Sequence, residues 1–152
     1  LWRTVLFGIV RPFGTKCPEV DGSIDRKSEE NMIFVSTDQG TFEFQSVDDA
    51  INFVQVAAKK KDTLWVTGDE LYPCVAVCTN EPYAAVNFFQ TDMGDMWLSY
   101  NDNNQKEVTF LADGVEWCPS ANAVVPLNDA ILCIREFLST YKRPSCIQWQ
   151  EL

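Results

Sequence analysis

Carboxylates are the most abundant side chains in this sequence that could carry out chemistry. Between residues 69 and 129 the chain has ten of them and a single basic residue, Lys106. The ten are Asp69, Glu70, Glu81, Asp92, Asp95, Asp102, Glu107, Asp113, Glu116 and Asp129. Two carboxylates, such as Asp92 with Asp95 or Glu107 with Glu116, would suffice for a glycoside hydrolase. A chain with 22 acidic residues contains such pairs by chance, so this pattern supports an enzyme only weakly.

Other catalytic and metal-binding patterns are missing from the sequence. The chain contains no histidine, which excludes Ser-His-Asp and Cys-His catalysis and mixed Cys-His zinc sites. It has neither a GxSxG motif nor a Gly-rich phosphate loop. The loop that starts at Asp102 lacks the glycine and the final glutamate of a calcium-binding loop. We therefore expect no cofactor, no metal and no enzymatic activity.

The cysteines are spread too thinly to indicate a disulfide framework or a metal site. The six are Cys17, Cys74, Cys78, Cys118, Cys133 and Cys146, and no CxxC pair occurs among them. A chain of 152 residues can bury a hydrophobic core without covalent cross-links. We therefore expect free thiols, most of them buried as small apolar side chains.

The net charge limits the range of partners. The formal charge is −10 at pH 7, which repels nucleic-acid backbones and anionic membranes, so a charged partner is expected to be basic. The apolar stretch at residues 1–13 is interrupted by two arginines, is too short to span a membrane and lacks a cleavage site. The sequence therefore favours a cytoplasmic location with no membrane contact.

The pattern of apolar residues predicts the elements that position these side chains. Residues 1–45 favour strands, with one at residues 4–10 and a hairpin that joins 32–37 to 41–45. Ser46 predicts the start of a helix, and Pro126 predicts the start of a second one that Pro144 stops. Their apolar stripes are Val47, Ile51, Val54 and Ala58 in the first helix, and Leu127, Ile131, Ile134 and Leu138 in the second.

Between and after the helices the sequence favours strands. β-branched and aromatic residues predict an antiparallel meander with strands at 64–67, 74–79, 83–89, 97–100 and 107–111, and a short final strand at 146–150. The predicted fold class is α+β, a single domain in which two helices pack against an antiparallel β-sheet meander. Residues 1–44 are predicted to be a β-rich extension of the same compact unit as residues 45–152. Trp65 and Trp149 are expected in the core.

The predicted partner-binding surface combines acidic turns with aromatic residues that we expect to be exposed. Its members are Asp92, Asp95, Trp97, Tyr100, Asp102, Asp113, Glu116 and Trp117. Carboxylates around aromatic anchors suit a protein interface for a basic partner. Two alternatives remain open: a solvated face that only confers solubility, and a carbohydrate-binding module that uses Trp97, Tyr100 and Trp117 as a stacking platform.

A large part of the chain resembles a known family. VPLNDA at 125–130, REFL at 135–138, KRP at 142–144 and WQE at 149–151 together resemble the signature of immunity protein family one of bacterial polymorphic toxin systems. YPCVAV at 72–77 and YAAVNFF at 83–89 are similar to the family's central hairpin. The resemblance covers residues 45–152. Its recurrent positions, which all look structural, are Pro73, Phe88, Pro126, Ala130, Phe137, Pro144 and Trp149.

This resemblance implies a function. Family members are cytoplasmic bacterial antidotes that bind a cognate toxin domain, commonly a nuclease or a nucleic-acid deaminase, and block its active site or substrate entry. A toxin that holds nucleic acid has a basic cleft, which an acidic surface can occupy. The resemblance thus agrees with the charge of the chain, but it does not indicate which residues contact the toxin.

Overall fold

The computed structural model describes residues 32–152, and this part of the chain has the predicted α+β architecture. The predicted strand at residues 4–10 and Cys17 lie outside the described residues. The strands are β1 (Ile33–Thr37), β2 (Gly40–Phe44), β3 (Asp62–Thr67), β4 (Cys74–Asn80), β5 (Tyr83–Phe89), β6 (Met96–Tyr100), β7 (Phe110–Ala112), β8 (Val115–Trp117), β9 (Val125–Pro126) and β10 (Gln148–Glu151). The α-helices are α1 (Val47–Ala57) and α2 (Leu127–Thr140), and a 3-10 helix covers Ala121–Ala123.

The main sheet has the strand order β10-β6-β5-β4-β3-β1-β2, and β9 pairs with the start of β5. All of these pairings are antiparallel. The predicted hairpin within residues 32–45 is confirmed as β1 and β2, which belong to this sheet. The sheet therefore begins upstream of residue 45, and its last strand in the chain, β10, forms one edge.

Both faces of the sheet are covered. Alternate residues of β4 and β5, such as Val75, Val77 and Phe88, pack in a cluster with α1 and α2. Their neighbours, such as Ala76, Cys78 and Phe89, belong to a second cluster together with β7, β8 and the 3-10 helix. Because successive side chains of a strand point to opposite faces, these near-continuous apolar strands are buried on both sides.

The helices begin where the sequence predicts. The Ser46 side chain accepts a hydrogen bond from the Asp49 backbone N–H at 3.0 Å and caps α1. Helix α2 follows Pro126 and buries most of the predicted stripe, including Leu127, Ile134 and Leu138. It ends at Thr140, where Tyr141 adopts a left-handed conformation, so Pro144 lies beyond the end of the helix rather than at it.

The predicted strand at 107–111 is wrong in its extent and its pairing. Residues 101–109 form a loop that leaves the sheet, with the Asn104 Nδ2 group donating to the backbone oxygen of Ala121 at 2.8 Å. Only the last part, Phe110–Ala112, is a strand, and it pairs with β8 in a separate two-stranded sheet. The position next to β6 in the main sheet is occupied by β10, which the meander prediction did not place there.

The two tryptophans expected in the core differ in burial. Trp65 is buried, and its ring stacks on Phe89 with 5.7 Å between centroids. Trp149 is only half buried, because it lies on the edge strand β10, and its Nε1 group donates to the Pro144 carbonyl at 2.7 Å.

We predict that Phe137→Ala lowers the free energy of unfolding by about 3 to 5 kcal/mol, because the Phe137 ring is fully buried between α2 and the sheet. Leu132→Ala is the matched control on the same helix, since Leu132 is 53% exposed, and we expect it to cost about 0.5 kcal/mol or less. Equilibrium denaturant unfolding measures both. Equal losses for the two variants would contradict this packing.

Candidate functional site

The eight predicted site residues do not form one surface. Asp92, Asp95 and Trp97 lie at the end of the sheet where β5 passes into β6, whereas Tyr100 and Asp102 lie at the opposite end of β6. Asp113, Glu116 and Trp117 belong to the β7–β8 hairpin, which packs on the sheet face opposite the helices. The acidic segment is therefore distributed over three places, and each has its own surroundings.

The first place joins two neighbouring loops. Cys74 at the start of β4 pairs with Thr67 at the end of β3 and with Phe89 at the end of β5. The β3–β4 loop (residues 68–73) and the β5–β6 loop (residues 90–95) therefore lie next to each other at the same end of the sheet. We call these two segments the acidic loops, because they present Asp69, Glu70, Asp92 and Asp95, all of them exposed.

The acidic loops also carry a strongly exposed apolar side chain. Met93 lies between Asp92 and Asp95 and is 81% exposed. Methionine is flexible and polarizable, and it is frequent on surfaces that adapt to a partner. Sequence analysis did not single out Met93, because a lone methionine in a turn gives no pattern.

A cavity of about 210 Å³ opens beside the β3–β4 loop. It is lined by Gly68, Asp69, Glu70, Tyr72, Pro73 and Tyr141. The Tyr141 ring lies directly over Gly68, so close that a Cβ atom on that glycine would meet the ring at 2.5 Å. Burial, and then the charge of Asp69, raise the pKa of the Tyr141 phenol, which therefore stays protonated at neutral pH.

Tyr141 is held at this cavity in an uncommon conformation. Its φ of 55° lies in the left-handed region, which is costly for a bulky residue. Its ring packs against Phe137 with 5.2 Å between centroids, and its backbone N–H donates to the Phe137 carbonyl. These contacts offset the cost of the left-handed conformation and fix the ring. The sequence did not indicate this position of Tyr141, because the helix was predicted to continue towards Pro144.

Trp97 lies beside the acidic loops but is not freely exposed. It is half buried, its ring lies 5.8 Å from that of Phe88, and the Arg143 guanidinium sits 4.7 Å from the ring centroid. The expectation of an exposed aromatic residue is therefore only partly met. Part of the ring stabilises the helix side of the core.

Tyr100 and Asp102 border a second cavity of about 380 Å³ at the other end of β6. Its lining is Tyr100, Asn101, Asp102, Asn103, Val125, Pro126, Asp129, Cys146, Ile147 and Gln148. Asp102 is exposed, and Asp129 in the first turn of α2 is half buried. Two acids, Asp102 and Asp129, line this cavity, whereas the acidic loops carry four. Its walls are more polar than those of the cavity beside the β3–β4 loop.

The third place is mainly structural. The Trp65 Nε1 group donates to Asp113 Oδ1 at 3.0 Å, and the Asp113 backbone N–H donates to Thr63 Oγ1 at 2.9 Å. These bonds tie the β7–β8 turn to the sheet. Trp117 is 8% exposed within the second core cluster, so the expectation that it is exposed is wrong. Glu116, its neighbour on β8, is exposed.

The proposed aromatic platform for a carbohydrate is not formed. Trp97 packs against the helix-side cluster, whereas Trp117 is part of the cluster on the opposite face of the sheet. The reason is that Trp117 belongs to the β7–β8 hairpin, which packs on the opposite face of the sheet, while Tyr100 lies at the other end of β6 from Trp97. The three rings cannot stack on one sugar chain.

The groups with perturbed chemistry in residues 32–152 have structural explanations. Burial raises the pKa of Asp62, whose two oxygens accept hydrogen bonds from the backbone N–H groups of Asp38 and Thr63. Burial also raises the pKa of the Cys78 thiol to about 12, so it is not a nucleophile at neutral pH. In this described part, no group of three His, Cys, Asp or Glu residues is arranged to hold a metal ion.

Comparison with known proteins identifies the class. The family model described as Immunity protein Imm1 matches residues 19–151, so the chain belongs to the Imm1 family of immunity proteins. The family resemblance seen in the sequence is confirmed, and the match begins upstream of residue 45 and includes β1 and β2. An immunity protein binds a cognate toxin. A search of curated proteins finds no match, and none of the helices in residues 32–152 is long and apolar enough to cross a membrane.

We predict that Asp113→Ala loosens the β7–β8 hairpin, because it removes the acceptor for Trp65 and places alanine at a φ of 53°. Leaving the buried Trp65 Nε1 group without this partly buried hydrogen bond costs roughly 1 to 3 kcal/mol, and amide exchange in residues 110–117 should accelerate while that in β4 and β5 changes little. Asp113→Asn is the matched control, because its side-chain oxygen can still accept from Trp65 and asparagine tolerates a left-handed φ. If both variants exchange like the wild type, the hairpin does not depend on this carboxylate.

Proposed function

We propose that this immunity protein neutralises a toxin that acts on nucleic acid, a nuclease or a nucleic-acid deaminase, by placing the acidic loops in its basic substrate cleft. The observation that carries the proposal is the concentration of four exposed carboxylates on two adjacent loops at one end of the sheet. Asp69, Glu70, Asp92 and Asp95 would occupy the positions that substrate phosphates take in the toxin.

The carboxylates of the acidic loops are exposed, and one of them, Asp69, accepts a hydrogen bond through Oδ1 from the Met32 backbone N–H at 3.1 Å. Among residues 32–152 the ion pairs are Lys60 with Asp38 and Arg135 with Asp48, and neither involves the acidic loops. Like charges on adjacent loops make the potential around them more negative. This potential attracts a basic surface of the toxin and speeds association. A cleft that binds phosphates is lined by lysine and arginine and meets these requirements.

The cavity beside the β3–β4 loop gives this surface a place for an anchor. A lysine or arginine side chain of the toxin that enters it would meet the carboxylates of Asp69 and Glu70 and the rings of Tyr72 and Tyr141. Aromatic faces attract cations, and carboxylates pair with them. Met93 on the neighbouring loop would add apolar contact area.

The remaining predicted residues have a different part in this proposal. Asp102 and Glu116 lie away from the acidic loops and contribute to the overall negative field rather than to direct contact. Trp97 packs at the start of β6, close to Asp95, and Asp113 and Trp117 hold the β7–β8 hairpin against the main sheet. The contact surface thus keeps Asp92 and Asp95 from the sequence prediction and adds Asp69, Glu70, Tyr72, Met93 and Tyr141.

We predict that the double reversal Asp92→Lys with Asp95→Lys slows association with the toxin by about tenfold or more at low salt, because these acids steer the encounter. The wild-type on-rate should fall steeply as ionic strength rises towards 0.1 M or so, where the Debye length is about 10 Å. Stopped-flow kinetics across a salt series measure both, with the cognate toxin domain as the ligand.

The control for this experiment is the double reversal Asp102→Lys with Glu116→Lys. It changes the net charge by the same amount at two exposed positions away from the acidic loops. We expect it to slow association by about threefold or less. Equal effects of the two double reversals, or an on-rate that does not depend on salt, would contradict the acidic loops as the contact surface.

We further propose that the protein inhibits without turnover of its own. The carboxylate pairs that a hydrolase could use, Asp92 with Asp95 and Glu107 with Glu116, are exposed, whereas catalytic groups work in a site from which water is excluded. We predict no sustained activity in a broad hydrolase screen. Activity that co-purifies with the folded protein and is abolished by Glu116→Gln or Asp92→Asn would refute this.

A further inference from the structure

Two cysteines face each other at the junction of α2 and β10. The Sγ atoms of Cys133 and Cys146 are 3.3 Å apart, and both are free thiols in this structure. Cys133 is buried on α2, and Cys146 is exposed in the irregular segment that leads from the helix to β10. Neither takes part in the proposed toxin contact.

The proximity of the two thiols is built into the fold. Glu136, one turn along α2 from Cys133, accepts hydrogen bonds through Oε2 from the Ser145 backbone N–H at 2.8 Å and from its hydroxyl at 2.9 Å. Trp149 Nε1 holds the Pro144 carbonyl from the other side at 2.7 Å. Ser145, the residue before Cys146, is therefore tied to the helix that carries Cys133, and the bond between Trp149 and Pro144 closes the short segment that contains Cys146.

We propose that Cys133 and Cys146 form an intramolecular disulfide when the protein meets a low-molecular-weight disulfide such as oxidised glutathione. A disulfide bond is about 2.05 Å long, so the sulfurs must approach by about 1.3 Å. Cys146 belongs to an irregular segment and can make this movement, whereas Cys133 is fixed on the helix. Within residues 32–152 no other two cysteine sulfur atoms are in contact.

The reaction proceeds by two exchanges. The Cys146 thiolate attacks one sulfur of oxidised glutathione, breaks its S–S bond and releases one glutathione thiolate, leaving a mixed disulfide on Cys146. The Cys133 thiol then loses its proton and attacks Cys146 Sγ, which releases the second glutathione. The two cysteines together lose two electrons and two protons, and oxidised glutathione takes them up as two thiols.

The surroundings make this reaction slow at neutral pH. Burial raises the pKa of Cys133 strongly, and Cys146, Glu136 and Asp129 add to the shift. Burial also raises the pKa of Cys146, with Glu136 beside it. Because the thiolate is the attacking species, we expect faster oxidation as the pH rises above 8 or so.

The cross-link has a structural consequence. It closes the chain between residues 133 and 146 and fixes the start of β10 to α2. Cys146, Ile147 and Gln148 form one wall of the cavity that also contains Tyr100 and Asp102, so the bond fixes that wall. A closed loop restricts the unfolded chain, so the oxidised protein should unfold at a higher temperature by several degrees.

The test is oxidation of the folded protein with oxidised glutathione, followed by intact-mass measurement and tryptic mapping without reduction. We predict a loss of about 2 Da, for two hydrogens, and a cross-link between the peptide of residues 107–135 and that of residues 143–152. The first peptide contains both Cys118 and Cys133, so the map is repeated on Cys118→Ser, in which the cross-link should persist.

Cys146→Ser is the decisive variant, because Cys146 is exposed and the substitution is not expected to disturb folding. It should abolish the mass loss, and Cys17→Ser should retain it. A stable glutathione adduct on Cys146 that Cys133 does not resolve would overturn the proposal. So would a mass loss that survives Cys146→Ser or disappears in Cys118→Ser.

Discussion

The burial of both faces of the central strands is the constraint on which the rest of this structure depends. Val75, Val77 and Phe88 pack towards the helices, while Ala76 and Phe89 pack towards the β7–β8 hairpin. A sheet covered on both faces offers a partner its strand ends, its edge strands β10 and β2, and the outer surfaces of the covering layers. Because strands β3 to β6 are consecutive and antiparallel, the loops at each end lie side by side, and residues distant in sequence form one surface.

The acidic loops follow from this arrangement and oppose stability. Four carboxylates on adjacent loops repel one another, and no lysine or arginine of the described residues is paired with them. Water and salt around the loops screen this repulsion, and the well-packed sheet below compensates for what remains. In the proposed function, this unpaired charge attracts a basic surface of the toxin. The fold thus concentrates exposed acidic side chains at one end of the sheet, where a partner can reach them.

The sequence predicted those parts of the fold that local pattern determines. β-Branched and aromatic residues predicted β4 and β5, and Ser46 and Pro126 predicted the starts of both helices. Residues 107–111 also have the composition of a strand, but the pairing of a strand depends on which neighbour is available, and β10 from the end of the chain occupies the place beside β6.

The candidate site was predicted only in part for a similar reason. The excess of acids between residues 69 and 129 is visible in the sequence, but grouping Asp69 with Asp92 requires knowledge of the strand order. Trp117 was expected to be exposed because it follows an acid in a turn-rich segment, and its burial depends on a hairpin that folds back onto the sheet. Tyr141 lies beside the β3–β4 loop because it adopts a left-handed conformation at the end of α2, which the sequence did not predict.

Hydrogen exchange of the protein with and without its bound toxin domain tests the central claim most directly. If the acidic loops occupy the substrate cleft, amides in residues 68–73 and 90–95 should exchange more slowly in the complex, and those in residues 101–109 and 113–117 should be unchanged. Protection limited to residues 101–117, or to the outer faces of α1 and α2, would contradict the account and place the toxin on another surface.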